Sequence, residues 1–289
     1  GCDPLIAIQM ATVNTACHFG MERELGSIAP GRRADFIVTS SIDNLPIDVV
    51  FARGQRVAEN GKLLTKCPHY EWPQTVRETV NLGKRLERKD FEICAPGGLS
   101  SVKAKVIGVI ENQAPTEALE FDLPVKQGKV QIEGDVCYLS LVERHRGTGA
   151  VVNGFVSGFG YSGSMAIASS VAHDSHHMIV VGTNHELMSS AANRLGEVGG
   201  GVTLWKDGSE VALVELPIAG LMSDIEASEV ALKTQNIVQA MIDCGCNLNN
   251  AYMQHTLLAL VVIPELRISD LGLVDVNRFE LTEVISSKP

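Results

Sequence analysis

The feature that most constrains the fold of this chain is a series of short apolar, β-branched segments beyond Leu99, separated by glycines and polar turns. Segments of this length and composition are typical of buried strands. They predict strands at residues 106–110, 136–142, 151–155, 165–170, 179–181, 202–205 and 211–216. Helical periodicity is confined to residues 186–195 and 226–244, and a capping box of Ser223 and Glu226 is predicted to begin the second helix. This order of elements predicts an α+β domain over residues 99–289 rather than a regular βαβ alternation.

The first 19 residues predict a helix that packs against a partner. Asp3 precedes Pro4, which is the usual arrangement of an N-cap followed by proline in the first helical turn. The helix predicted over residues 5–19 has few polar side chains on its outer face. We therefore expect its apolar side chains to contact a surface that lies outside this sequence.

Residues 20–66 predict a small β unit. A buried strand is expected at 36–38, and a hairpin at 49–52 and 56–58. Asn60-Gly61 is a strong signal for a tight turn between two strands. The proline-punctuated stretch 67–98 is predicted to be a linker, and the mixed charges of residues 84–90 favour a solvated connecting helix over a binding patch.

Charge and composition narrow the functional classes. The net charge of −10 argues against a nucleic acid or an anionic membrane as the main partner. No apolar stretch reaches the roughly 18 residues of a membrane span. The cysteines are odd in number, at seven, and scattered, which predicts reduced thiols in a cytoplasm rather than a disulfide framework.

Three histidines and an aspartate lie within five consecutive positions, at His173, Asp174, His176 and His177. Imidazole and carboxylate groups this close together are typical of proton transfer or metal binding. The segment falls between two predicted strands, which places it in a bend at the edge of a sheet. On spacing alone, a bend in which these side chains cap backbone groups and face water explains the cluster equally well.

A second group of polar residues stands near the end of a predicted strand. Arg144 and His145 follow the strand 136–142 and precede a pair of glycines, so they are candidates for binding a ligand. A surface arginine paired with Glu143 or another carboxylate is the competing interpretation. Asp270, near the end of the chain, is predicted to be a surface cap or turn residue.

The stretches AIQMATVNTACHFG and GSIAPGRRADFIV resemble the end of an amidohydrolase-superfamily enzyme, where the last barrel helix leads into a strand pair. Five later motifs are more specific. In order, VERHRGTG, GFVSGFG, SSVAHDSHHMIVVGT, LPIAGLMSD and VIPELRISDLGLVDV resemble the C-terminal domain of the adenine deaminase family. His177 departs from that resemblance, since asparagine is expected at its position.

The resemblance implies that a complete enzyme carries an upstream (β/α)₈ barrel of about 250 residues, of which this chain keeps the last helix. The family's metal ligands lie on the barrel strands, so the resemblance implies a divalent metal, manganese or iron, in the intact enzyme and no metal ligand in this chain. Asp3 is explained by N-capping rather than by metal binding.

For the intact enzyme, the resemblance implies hydrolytic deamination of adenine to hypoxanthine and ammonia in purine salvage or catabolism. The upstream barrel half and a homo-oligomer are the expected partners, and the isolated chain is expected to be inactive. His173, Asp174 and His176 are the predicted catalytic group, and Arg144 and His145 are predicted to bind substrate.

One alternative stays open at this stage. The region 99–289 would also suit a ligand-binding or assembly module without a catalytic role, attached to a dihydroorotase-like or hydantoinase-like amidohydrolase. The barrel-end motif fits those enzymes too, whereas the five later motifs favour adenine deaminase.

Overall fold

Two units make up the chain in the computed structural model, Gly1–Glu71 and Trp72–Pro289. The structure describes residues 1–66, 68 and 70–286. Cys67, the first residue of the predicted linker, therefore lies outside the described residues, as does the end of the predicted domain at 287–289. The domain boundaries expected at 19, 66 and 98 stay predictions.

The smaller unit begins with the predicted helix, which runs without a break through three segments: α1 (Pro4–Gln9), a π-helical turn (Met10–Asn14) and α2 (Thr15–His18). The Asp3 carboxylate caps it, since Oδ1 accepts a hydrogen bond from the Leu5 N–H at 2.8 Å. Leu5, Ile6 and Met10 of this helix are exposed within the unit, whereas Ala16 is buried.

A four-stranded antiparallel sheet completes the smaller unit, in the order β1 (Phe36–Val38), β2 (Val49–Ala52), β3 (Gln55–Glu59) and β4 (Lys62–Leu63). The predicted hairpin and the Asn60-Gly61 turn are both confirmed, because β2 pairs with β3 and Glu59 lies opposite Lys62.

A nine-stranded sheet forms the centre of the larger unit. Its strands are β5 (Ser101–Val109), β6 (Thr116–Lys126), β7 (Lys129–Val130), β8 (Val136–Val142), β9 (Val151–Ser157), β10 (Met165–Ser169), β11 (Met178–Gly182), β12 (Gly201–Lys206) and β13 (Ser209–Glu215). Their order in the sheet is β13-β12-β10-β11-β8-β9-β5-β6-β7, and all neighbouring strands are antiparallel except β5 and β9.

Both faces of this sheet are buried, which explains why its central strands are continuously apolar in sequence. Side chains alternate between the two faces along each strand. In β8, Leu139 and Leu141 face one hydrophobic core, whereas Tyr138 and Val142 face the other. The mixed α+β class predicted from the sequence is confirmed.

Helices and a second sheet cover the two faces. On one side lie α5 (Ala227–Asp243) and a three-stranded sheet, in the order β14 (Leu266–Ser269), β15 (Gly272–Asp275) and β16 (Glu280–Thr282). The other side is covered by α4 (His185–Val198). The remaining helices are α3 (Gln74–Arg77) and α6 (Ala251–Leu257). Among the described residues, no helix is both long enough and apolar enough to cross a membrane.

Two local predictions are wrong. Residues 84–90 do not form a solvated helix; a single 3₁₀ turn, Arg88–Phe91, is present, and Leu86 and Phe91 are buried in the core beside α4. The apolar residues within this charged stretch determine its packing. The capping box is also absent, because Glu226 is the N-cap of α5 and no side chain caps that helix.

His185, at the start of α4, makes the stability of this core depend on pH. Its ring contacts Tyr138 with centroids 3.9 Å apart, and burial lowers the pKa of His185 to about 4. The free histidine has a pKa of about 6.5. The neutral ring therefore contributes stability that is complete above pH 6.5 and is lost as the pH falls from there towards 4.

We expect His185→Phe, which keeps a ring on Tyr138, to weaken the acid sensitivity of the larger unit. Between pH 6.5 and 5, the free energy of unfolding should fall less than in the parent, by up to about 2 kcal/mol. Urea unfolding followed by tryptophan fluorescence measures this, since Trp72 and Trp205 both lie in the larger unit. His18→Phe, at an exposed position, is the control. An unchanged pH slope in His185→Phe would contradict the assignment.

Candidate functional site

The register of β8 and β11 determines which polar side chains meet at the edge of the large sheet. The ladder between these strands ends with Val142 opposite Met178. Continuing the same register past the strand ends brings Arg144 opposite His176. The contact is made: the Arg144 Nε donates to the His176 carbonyl at 2.6 Å. The two regions singled out in the sequence, 142–149 and 169–183, are therefore brought together.

His173 and His176 form one pair in the bend between β10 and β11, with ring centroids 5.4 Å apart. Backbone contacts hold this bend, because the His176 N–H donates to the Ala172 carbonyl at 2.7 Å and the His173 N–H donates to the Thr256 carbonyl at 3.0 Å. Both imidazoles are partly exposed.

The tautomer of His176 follows from its contact with the backbone. Its Nδ1 accepts a hydrogen bond from the Ala172 N–H at 3.3 Å, so the proton of the neutral ring is on Nε2. Burial lowers the pKa of His176, and the neighbouring His173 lowers it further. At neutral pH the ring is therefore a neutral Nε2–H donor.

Asp174 does not hold either histidine. Its side chain is exposed, and no hydrogen bond joins its carboxylate to His173 or His176. The tautomer of His176 is set by the Ala172 backbone instead. Asp174 acts on His176 only through its charge, which opposes the lowering of the His176 pKa.

The His177 side chain points to the side opposite that of His176, and its ring contacts the ring of His145. Consecutive residues of an extended chain point to opposite sides, and His177 shares the side of Ile179, two residues on. The rings of His145 and His177 have centroids 4.7 Å apart. His177 Nε2 lies 3.6 Å from the Asp270 carboxylate. Asp270, predicted to be a surface cap or turn residue, thus lies beside the candidate site.

Glu143 organises the loop that carries His145, although its sequence pattern does not identify it as a site residue. Its carboxylate accepts hydrogen bonds from the N–H groups of His145, Arg146 and Thr148 at 2.5, 2.7 and 3.0 Å, and from the Thr148 hydroxyl at 2.9 Å. Burial raises the pKa of Glu143, but these hydrogen bonds outweigh burial and hold the pKa at about 2.

Arg144 is buried, with 1% of its surface exposed. Besides the His176 carbonyl, its guanidinium donates to the carbonyls of Thr79 at 3.3 Å and Ala219 at 3.2 Å. Burial lowers the pKa of Arg144 to about 10. These contacts favour a positioning role for Arg144, and the substrate-binding role expected from the sequence stays a prediction. The competing expectation, a surface arginine paired with a carboxylate, is wrong, because Arg144 is buried and its partners are backbone carbonyls.

A cavity of about 330 Å³ opens beside this arrangement. Alternate residues at the end of β8 and beyond line it, namely Leu141, Glu143 and His145. His177 and Asp270 contribute from the other side. The cavity thus joins His145, a predicted binding residue, to three residues that are not among the predicted site residues: Glu143, His177 and Asp270.

The donor set does not fit a metal ion. Among the residues that the structure describes, no group of three or more histidine, cysteine, aspartate or glutamate side chains is arranged to hold one. His145 Nε2 is already engaged, since it lies 2.9 Å from the Ser175 carbonyl oxygen. The cluster is therefore better suited to hydrogen bonding than to metal ligation.

Comparison with known proteins relates this site to one family. Residues 113–280 match the family described as the adenine deaminase C-terminal domain, and residues 1–57 match the amidohydrolase family. The chain is 68% identical to an adenine deaminase of Ruegeria pomeroyi over 99% of its own length. It is 65% identical to one of Paracoccus denitrificans and 42% identical to one of Moorella thermoacetica, again over 99% of the chain. These alignments cover 47–48% of each relative, so the chain spans about half the length of the curated relatives it matches.

We expect Glu143→Gln to loosen the loop over residues 145–148. The amide replaces an acceptor oxygen with a donor, so N–H groups that now share the carboxylate lose a partner. The free energy of unfolding at pH 7 should fall by about 1–3 kcal/mol. Because the pKa of Glu143 is lowered, its contribution is present above pH 4.5 and is lost as the pH falls towards 2, so the parent and the variant should converge in acid.

Hydrogen exchange at the amides of His145, Arg146 and Thr148 measures the local effect, which should be faster in the variant. Glu133→Gln is the matched control, because Glu133 is exposed. Equal exchange rates in the parent and in Glu143→Gln would show that the carboxylate does not hold the loop.

Proposed function

We propose a function for this chain from the fact that it belongs to the adenine deaminase C-terminal domain family. The chain is the C-terminal part of an enzyme that hydrolyses adenine to hypoxanthine and ammonia. The observation that carries this proposal is 68% identity over 99% of the chain to an adenine deaminase. The amidohydrolase match over residues 1–57 supports the same class of reaction, the hydrolysis of a C–N bond.

The rest of the enzyme supplies what this chain lacks. We assign the helix from Pro4 to His18 as the last helix of an amidohydrolase barrel, with the barrel as its partner. The exposed Leu5, Ile6 and Met10 support this, since exposed apolar patches mark contact surfaces. A divalent metal, manganese or iron, would be bound by the barrel, where it would activate water, and the chain alone would not deaminate adenine.

The bend at residues 173–176 supplies polar groups for the purine. Deamination replaces the C6 amine with an oxygen from water, and the departing amine must gain a proton to leave as ammonia. A neutral Nε2–H at His176 donates a hydrogen bond to a ring nitrogen or to the developing charge, and it does not itself give up a proton. Such donors lower a barrier because they are fixed before charge develops.

His173 and Asp174 complete the proposed catalytic group. The His173 ring stands across from His176 and is itself partly exposed, so it is free to exchange a proton with the leaving amine. Asp174 adds a negative charge to the bend, which opposes the lowering of the His176 pKa without outweighing burial. Arg144 holds the His176 carbonyl and thereby positions this group. Substrate binding by His145 stays a prediction, because its ring contacts His177 rather than the pair of His173 and His176.

The physiological setting belongs to the same proposal. An enzyme of this kind acts in purine salvage or catabolism, and reduced cysteines are consistent with the cytoplasm. The cysteines that the structure describes are free thiols. A homo-oligomer stays our expectation, and the net charge of −10 disfavours nucleic acid and anionic membranes as partners. A non-catalytic module of another amidohydrolase is not favoured, because the relatives named above are adenine deaminases.

In the complete enzyme, we expect His176→Ala to reduce turnover of adenine by about 10²–10³-fold, the usual loss for one preorganised donor. His176→Gln, which keeps a side-chain N–H, should recover part of that activity. Ammonia release measures the rate, and metal analysis should give the same metal content in all three proteins. Turnover of His176→Ala within a few-fold of the parent would favour the structural bend, and loss of metal would make the cluster a ligand set.

A further inference from the structure

The helix α6 lies alongside the segment that leads from β10 into the bend, and two contacts join them. The Tyr252 hydroxyl lies 3.2 Å from the Ser169 Oγ, and the Thr256 carbonyl accepts a hydrogen bond from the His173 N–H at 3.0 Å. Residues four apart on a helix are neighbours on its surface, and the two partners in the segment are also four residues apart. The helix therefore holds both the start of this segment and its end at His173.

Tyr252 is the donor in its contact with Ser169. A serine hydroxyl carries one proton, and that of Ser169 is directed to the Val171 carbonyl at 3.1 Å. The same oxygen accepts a hydrogen bond from the Val171 N–H at 3.0 Å. Burial raises the pKa of Tyr252, so its hydroxyl keeps its proton at neutral pH. The Tyr252 hydroxyl is thus bonded to the residue that organises the turn before the bend.

The core holds α6 in place, chiefly through His255. This residue is 2% exposed, its ring packs against Phe159 with centroids 4.3 Å apart, and its Nε2 lies 2.9 Å from the Tyr161 hydroxyl. Burial lowers the pKa of His255 to about 3, so the ring is neutral. Beside it, the Gln254 side chain donates to the Gln113 carbonyl at 3.0 Å. The helix is therefore a fixed support for the segment that packs against it.

The bend requires such support because of its backbone conformation. His176 has a φ of 49°, in the left-handed region that residues with a Cβ seldom adopt. A conformation of this kind persists only where the surrounding contacts determine it. Arg144 supplies one contact, at the His176 carbonyl, and α6 supplies a second, at the His173 N–H.

We propose that Tyr252 is a positioning residue for His173. Its hydrogen bond to Ser169 keeps α6 against the bend, so that the Thr256 carbonyl fixes the His173 N–H and with it the direction of the imidazole. The inference rests on the function proposed above, in which His173 exchanges a proton with the leaving amine. Proton transfer requires the two groups to lie within hydrogen-bond reach, so it depends on this direction. Tyr252 affects turnover only through His173.

Hydrogen exchange in the 289-residue chain tests the positioning contact by itself. Tyr252→Phe removes only the hydroxyl, and the His173 amide should exchange about tenfold faster, as expected for the loss of one buried hydrogen bond. The amides of β11 should keep their rates, which separates a local effect from unfolding of the whole unit. An unchanged rate at His173 would overturn the proposal.

Tyr138→Phe is the matched control for this measurement. It removes a buried hydroxyl that donates to the Val130 carbonyl at 3.3 Å, on the other face of the large sheet. The control should leave exchange at His173 unchanged. Equal acceleration in Tyr138→Phe and Tyr252→Phe would also overturn the proposal, because it would show a general loss of stability.

Turnover in the complete enzyme tests whether the contact acts through His173. Tyr252→Phe should lower the kcat for ammonia release about tenfold and leave KM unchanged, because the proton-transferring group is displaced while binding is kept. In a His173→Ala background, Tyr252→Phe should cause no further loss, since residues that act through one another are not additive. A merely structural role would lower turnover by the same factor in both backgrounds, and that result would overturn the proposal.

The two measurements distinguish this inference from the proposed function. If His173→Ala keeps the turnover of the parent while Tyr252→Phe accelerates exchange at His173, only the catalytic assignment of His173 fails. If His173→Ala loses turnover while exchange at His173 is unchanged in Tyr252→Phe, only the positioning proposal fails.

Discussion

The buried guanidinium of Arg144 is the interaction on which the candidate site depends. It donates to the carbonyls of Thr79, His176 and Ala219, which belong to three separate segments of the larger unit. A charge this deeply buried is tolerated only when its donors are satisfied, so the three segments must stay where the guanidinium can reach them. The bend that carries His176 is thereby fixed relative to the end of β8.

The two-residue period of the strands then divides the polar residues between two sides. Arg144 continues the side of Val142 and holds the bend from within the protein. Glu143 continues the side of Leu141 and faces the cavity with His145. Residues adjacent in sequence therefore have different structural roles. A one-residue change of register would exchange these roles, because it moves every side chain to the opposite side of the sheet.

The sequence predicts best those elements whose burial leaves a continuous apolar pattern. The bounds predicted for β8, residues 136–142, agree with the structure because that strand is covered on both faces. The sequence does not predict β6, since TEALEFDLPVK is rich in charged residues, is half exposed and contains a proline. The stretch 84–90 is wrongly predicted to be a solvated helix, because its many charged residues hide the importance of the buried Leu86.

The candidate site was only partly predictable for a related reason. The histidines of the bend and His145 stand out by residue type, whereas Glu143 and Asp270 are ordinary carboxylates until their neighbours are known. Their roles depend on the pairing of β8 with β11 and on how β14 packs, which are contacts distant in sequence. Local patterns carry no information about that pairing, so no local signal identifies these two residues.

The proposed role of the bend requires that His176 is a neutral donor at Nε2. Long-range ¹H–¹⁵N NMR spectra of the ¹⁵N-labelled chain measure this directly at neutral pH, with the His176 signals assigned by comparison with His176→Gln. We expect the Nε2–H tautomer, because Nδ1 accepts a hydrogen bond from the Ala172 N–H. A proton on Nδ1, in either the neutral or the charged ring, would contradict it.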